Sequence, residues 1–115
     1  MSNDQFVKSI VNAIDDKRGH DILTLDMRDV SVMADYFVIC DATSERLVQT
    51  IAKEVKERAE EQGVEVKRTE GFEHARWVLV DLGDVICHIF HQDERNYYNL
   101  EKLWGDAPIV SVEID

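Results

Sequence analysis

The stretch RWVLVDLGDVICHIFH, residues 76–91, decides the fold of this chain. Two apolar runs flank Gly83-Asp84, and Gly-Asp is a favourable pair for a two-residue hairpin turn of the primed type. The stretch therefore predicts a β-hairpin with strands over residues 76–82 and 85–91. Because a turn of known length fixes the register of both strands, each hairpin residue can be assigned a cross-strand partner.

The predicted register divides the hairpin side chains between two faces, since successive residues of a strand point to opposite sides of the sheet. One face is nearly all apolar and is expected to lie in the core. The other is mixed, because an aromatic pair shares it with a carboxylate and an imidazole. The core face pairs Leu82 with Val85, Val80 with Cys87, Val78 with Ile89 and Arg76 with His91; the mixed face pairs Trp77 with Phe90, Leu79 with His88 and Asp81 with Ile86.

The mixed face has two interpretations that the sequence leaves open. In the first, a helix packs over it, Asp81 satisfies His88 diagonally and Trp77 fills core space. In the second, it is an exposed aromatic patch rimmed by polar groups, which is typical of a protein-docking surface. Arg95 and the tyrosines at 97–98 follow at once and favour docking, although the sequence does not decide which tyrosine faces a partner.

The segments around the hairpin complete a single α/β (α+β) domain. Apolar residues recur at helical spacing over residues 3–17, and again from a cap at Thr43 or Ser44 to Gly63. Because residues 36–69 have the length of a parallel crossover, the sheet is predicted to be mixed, with about five strands and flanking helices. Further strands are predicted over 21–27, 36–40 and 64–69, a closing helix over 93–104 and a loose acidic tail over 106–115.

Composition excludes several classes of function. The chain has 115 residues, of which 44% are hydrophobic and 32% charged, as in an ordinary globular domain. Its formal net charge of −11 repels phosphate backbones and anionic lipid, so direct nucleic-acid and membrane partners are not expected. No apolar run approaches the length of a membrane span and no signal peptide is recognised, so a cytoplasmic location is expected.

The cluster of cysteine and histidine in the second hairpin strand does not predict a metal site. Cys87 and His91 lie four residues apart on a strand, roughly 13 Å, and His88 points to the opposite face, so their ligand atoms cannot converge on one ion. Cys40 and Cys87 are each expected to be reduced core thiols. We therefore expect no metal.

No catalytic or cofactor-binding residue is expected either. The five glycines stand singly rather than clustered before a helix, as a phosphate cradle would require. Ser44 is better explained as a helix cap than as a nucleophile. Asp81 and Asp84 resemble a carboxylate pair, but the Gly-Ser plus Asp-x-Asp pattern of a nucleotidyl-transfer site is absent.

Several separated motifs, in order along residues 5–110, resemble the ribosomal silencing factor (Iojap) family. They are ADYFVIC at 34–40, EG at 70–71, WVLVD at 77–81, GDV at 83–85, HIFH at 88–91 and LEKLWGDA at 100–107. The resemblance implies a nucleotidyltransferase-like mixed sheet without the catalytic motif. It also implies binding to the large ribosomal subunit through that subunit's fourteenth ribosomal protein, which blocks association with the small subunit when nutrients are short.

These considerations together predict a surface that binds the ribosomal protein. The family motifs support Trp77 and Tyr98 most, and the register supports the other hairpin residues. Two alternatives remain at this point: an enzyme of related fold that uses Asp81 and Asp84 with magnesium, and a domain that buries the aromatic face in a homodimer. The predicted contact residues are Trp77, Leu79, His88, Phe90, Arg95, Tyr98 and Leu100.

Overall fold

The computed structural model of the chain describes residues 3–94, 107–112 and 114. Within them, two helices and six strands form one α+β domain. In chain order the elements are α1 (Asn3–Asp16), β1 (His20–Asp26), β2 (Tyr36–Ala42), α2 (Glu45–Glu61), β3 (Arg68–Glu70), β4 (Trp77–Asp81), β5 (Val85–His91) and β6 (Ile109–Val110). Most of the predicted closing helix, 93–104, lies outside the described residues.

The strands form one mixed sheet in the order β3-β4-β5-β2-β1-β6. β2 and β5 are parallel and the other neighbouring strands are antiparallel. The mixed sheet is confirmed, but the strand count of about five was one too low. The sixth strand, β6, pairs with β1 and comes from the segment predicted to be a loose tail. Two residues are too few to show an alternation pattern, so this strand could not be predicted from the sequence.

The β4–β5 hairpin has the predicted register. Trp77 lies opposite Phe90 and Leu79 opposite His88. The backbone N–H of Leu82 donates to the carbonyl of Val85 at 2.9 Å across the turn. The two-residue turn therefore fixed the pairing along the whole ladder, as expected from the Gly-Asp pair.

Both helices pack on one side of the sheet. Ser44 caps α2 by accepting a hydrogen bond from the N–H of Leu47 at 3.1 Å, and Gly63, at φ +77°, follows its end. The helices and the apolar hairpin face form one core cluster, which includes Ile10, Ile14, Val48, Ile51, Val55, Val78, Val80, Cys87 and Ile89. The predicted core face of the hairpin is therefore confirmed.

The strand predicted over residues 64–69 begins later, at Arg68, and lies at the sheet edge. Val64 and Val66 are apolar at alternate positions, but they pack against the main core cluster from a loop. The alternation of apolar residues at Val64 and Val66 therefore indicated that these side chains are partly buried, not that they belong to a strand. The connection from β2 to β3 joins two parallel strands, as predicted. It crosses β5 and β4, which lie between these strands in the sheet.

No helix in the described part of the chain is long and apolar enough to cross a membrane.

Candidate docking surface

The sheet face opposite the helices carries the mixed side of the hairpin, and we call it the Trp77 face. Its members alternate with the core residues along β4 and β5, and they are excluded from the main core cluster. The Trp77 face consists of Trp77, Leu79 and Asp81 from β4 and Ile86, His88 and Phe90 from β5.

Exposure differs sharply within the Trp77 face. Trp77 is 37% exposed, among the few large apolar side chains that reach solvent in the described residues, and Leu79 is half-buried. His88 and Phe90 are 4% and 0% exposed. The prediction that His88 and Phe90 contact a partner directly therefore needs correction, because in this structure both side chains lie beneath the surface.

His88 and Phe90 support Trp77 from below. The indole Nε1 of Trp77 donates a hydrogen bond to Nδ1 of His88 at 3.1 Å. The ring centroids of Trp77 and Phe90 are 4.8 Å apart with a tilted arrangement, a favourable geometry for aromatic pairs. The diagonal partnership of His88 with Asp81, which the helix-covered interpretation required, is replaced by the bond to Trp77.

A second, smaller core cluster explains the burial of Phe90. It joins Leu25, Met27, Ile39, Phe90 and Ala107, with Leu23 and Phe37 packed partly against it. Phe90 is therefore a core residue of the sheet face opposite the helices. Local alternation could not show this, because the covering residues come from strands distant in sequence.

Phe37 is a member of this surface that sequence reasoning missed. It pairs with Ile86 in the β2–β5 ladder and so faces the same side as His88. Its ring lies 4.8 Å from the His88 ring and it remains half-buried. The run 36–40 is apolar at every position, so it had no period that could tell the two faces apart. The parallel pairing with β5 was the missing information.

Three charged side chains border Leu79. Glu70 lies opposite Leu79 in the β3–β4 ladder, and Arg68 lies opposite Asp81. The Arg68 guanidinium is 3.4 Å from the Asp81 carboxylate and 3.6 Å from that of Glu70. One cation and two carboxylates give this border a net charge of −1.

Asp81, one of the two carboxylates in the enzyme alternative, makes structural contacts with both of its oxygens. Asp81 Oδ1 accepts a hydrogen bond from the N–H of Gly83 at 2.9 Å, which supports the hairpin turn. Its other oxygen pairs with Arg68, while Asp84 is exposed in the turn. These contacts explain Asp81 as a turn-forming residue of the hairpin.

Burial shifts the pKa of two groups in the hairpin, Cys87 and His88. Burial raises the pKa of the Cys87 thiol to about 12 and lowers the pKa of His88 to about 4. At neutral pH Cys87 is therefore a thiol and His88 a neutral imidazole. Cys40 and Cys87 are both buried and form no disulfide, as predicted.

One group of three metal-ligating side chains occurs among the described residues: His20, Asp21 and Asp41, with ligand atoms within 4.8 Å of one another. The His20 and Asp41 side chains are 3.1 Å apart, and this contact accounts for the buried Asp41 carboxylate. His20 and Asp21 are largely exposed.

Arg95, Tyr98 and Leu100, the other predicted contact residues, lie outside the described residues. Their assignment to the docking surface stays a prediction.

Fold and surface together define the class of protein: a small α+β domain whose mixed sheet presents a partly exposed tryptophan on a buried aromatic base. The chain belongs to the ribosomal silencing factor (RsfS) family, because the family model described as “Ribosomal silencing factor during starvation” matches residues 1–115. The resemblance carried by the sequence motifs is confirmed.

Relatives and a solved structure agree with this membership. Ribosomal silencing factors of Halalkalibacterium halodurans and Bacillus subtilis are 58% and 57% identical to the chain over 113 residues, covering 98% of it and 97% and 96% of the relatives. A crystal structure of a Chromobacterium violaceum protein is 32% identical, with a TM-score of 0.88, and the match covers 100% of this chain and 95% of that one.

Proposed function

We propose that the chain binds the large ribosomal subunit through the fourteenth ribosomal protein of that subunit and thereby blocks association with the small subunit. This action represses translation under nutrient limitation. Membership of the silencing-factor family supports the general role. The observation that carries the assignment to a surface is Trp77, a 37% exposed residue whose indole is held by a hydrogen bond and a ring contact on the Trp77 face.

Trp77 has the properties of an energetic anchor in a protein interface. Tryptophan is enriched among residues whose truncation costs 2 kcal/mol or more, and such residues stand in well-packed, desolvated surroundings. Phe90 and His88 supply that packing from below, while Leu79 and Phe37 extend the apolar area beside them. In our proposal Trp77 and Leu79 contact the partner, His88 and Phe90 support them, and Arg95, Tyr98 and Leu100 complete the contact.

Charge supports a basic protein as the partner. Proteins that neutralise RNA phosphates are rich in lysine and arginine, and the chain carries a net charge of −11. The Glu70 side of the Trp77 face is itself net negative. Such complementarity raises the association rate and falls with salt. The cytoplasmic location expected from the sequence is consistent with a ribosomal partner and stays a prediction.

The proposed mechanism needs no chemistry. The relatives are named as silencing factors rather than enzymes, and Asp81 is explained by its turn contacts. A domain about 30 Å across, seated on a surface that the small subunit must approach, excludes that subunit sterically. The inhibitor therefore acts by binding the large subunit and sterically excluding the small one.

A subunit-joining assay tests this function. Purified chain is added to separated large and small subunits, and the fraction of joined ribosomes is measured by light scattering. We expect joining to fall with wild type and to recover when Trp77→Ala replaces it. Met33→Ala is the matched control, because Met33 is 73% exposed in the β1–β2 loop and is not part of the Trp77 face. Equal inhibition by wild type and Trp77→Ala would remove the assigned surface, and no inhibition by wild type would remove the function.

A further inference from the structure

The bond between Trp77 and His88 determines the protonation state of the imidazole. An indole N–H can only donate a hydrogen bond. Since Nε1 of Trp77 lies 3.1 Å from Nδ1 of His88, Nδ1 accepts and the ring proton is on Nε2. A doubly protonated imidazolium could not accept, so this bond exists only with neutral His88.

The surroundings of His88 protect this bond. His88 is 4% exposed, and its ring lies 4.8 Å from Phe37 and 6.4 Å from Phe90. Burial disfavours the charged form and keeps the acceptor available at neutral pH. A hydrogen bond shielded from water in this way holds its geometry better than an exposed one.

Two contacts with described residues hold the Trp77 ring. Phe90 packs against the ring at a centroid distance of 4.8 Å, which restricts its tilt but not its orientation about the ring normal. The bond to His88 fixes the edge that carries the N–H and so selects one orientation. Trp77 nevertheless remains 37% exposed.

We propose that His88 is a positioning residue that holds the Trp77 indole in its partner-binding orientation before the partner arrives. His88 itself does not touch the partner. This inference rests on the proposed function, since it assigns His88 a role in the same docking surface. Ordering a side chain on binding reduces affinity, and a side chain ordered in advance avoids that loss. Loss of the acceptor is therefore expected to weaken binding about fivefold to tenfold.

His88→Leu and His88→Asn form a matched pair for the test. Leucine and asparagine have the same branched skeleton, but only asparagine retains an acceptor near the place of Nδ1. Trp77→Phe removes the donor and keeps a ring. The full chain is labelled with nitrogen-15, and the indole N–H resonance of Trp77 is assigned by its disappearance in Trp77→Phe. Its hydrogen exchange is measured alongside the dissociation constant for purified large subunits.

We expect His88→Leu to accelerate exchange of the Trp77 N–H and weaken binding about fivefold to tenfold, with substantial rescue in His88→Asn. In the Trp77→Phe background, His88→Leu should change affinity less than about twofold, because its effect passes through the N–H. An equal loss in both backgrounds, or unchanged exchange, would overturn the positioning role. Should His88→Leu not fold, His88→Ala, which also removes the acceptor, decides the same point by exchange of the Trp77 N–H and by affinity. Absence of wild-type binding would instead overturn the proposed function, while the exchange data would still report whether His88 holds Trp77.

Discussion

Acidification from pH 7 to pH 5 is expected to destabilise the protein through His88. The imidazole is 4% exposed, and burial lowers its pKa from the ordinary 6.5 to about 4. In the unfolded chain the same ring takes up a proton near pH 6.5. Between pH 6.5 and pH 4 the unfolded state therefore binds more protons than the folded state, so the free energy of unfolding falls as pH is lowered through that window.

The size of the loss follows from the width of the window. Each pH unit in which only the unfolded state is protonated lowers the free energy of unfolding by about 1.4 kcal/mol. At pH 5 the ring contributes a loss of about 2 kcal/mol, and at pH 4 about 3 kcal/mol. A change of this size is a large fraction of the stability of a small domain.

Urea unfolding of wild type and His88→Leu at pH 7 and pH 5 measures this contribution. With a slope of about 1–3 kcal/mol/M, the wild-type midpoint should fall by about 0.7–2 M more than the midpoint of the variant, whose residue 88 cannot titrate. The other titrating groups are common to both proteins and cancel. If the urea midpoints of the two proteins fall equally between pH 7 and pH 5, His88 is not a buried neutral imidazole.

Three further predictions concern the scaffold around the surface. Gly71 has φ +78°, and a Cβ there would overlap the carbonyl oxygen of Trp77. Gly71→Ala should therefore destabilise the domain by about 1–3 kcal/mol in urea unfolding. Gly63→Ala is the milder control, because Gly63 has a similar φ but open space around it. Ser44→Ala should cost about 1 kcal/mol, because the cap of α2 is lost; circular dichroism melts would show it, and an unchanged melt would refute the cap. Cys87, with a pKa of about 12, should react with iodoacetamide at pH 8 only on unfolding, and rapid labelling of the native chain would contradict its burial.

The hairpin register could be predicted from sequence because it depends on local chemistry. Gly83-Asp84 specifies a two-residue turn, and the turn fixes each pair from Leu82 with Val85 to Trp77 with Phe90. The cap at Ser44 was likewise readable, since capping involves residues three apart. These features required no knowledge of what lies across the sheet.

The depth of each side chain on the Trp77 face could not be predicted in the same way. Alternation assigned Phe90 to the correct face, but its burial depends on Leu25, Ile39 and Ala107, which reach it through β1, β2 and the C-terminal segment. The same cause hid Phe37, which joins the face only through the parallel β2–β5 ladder. The local sequence pattern thus predicted the sheet face on which each side chain lies, whereas the burial of that side chain depends on the pairing of strands distant in sequence.

Gradient co-sedimentation with separated ribosomal subunits tests the central claim most directly. Wild type is expected to travel with large subunits and not with small subunits, and Trp77→Ala should reduce the bound fraction with a loss of affinity of about thirtyfold or more. Met33→Ala should bind as wild type does. Wild type that stays at the top of the gradient, or Trp77→Ala that sediments with large subunits as fully as wild type, would contradict the account.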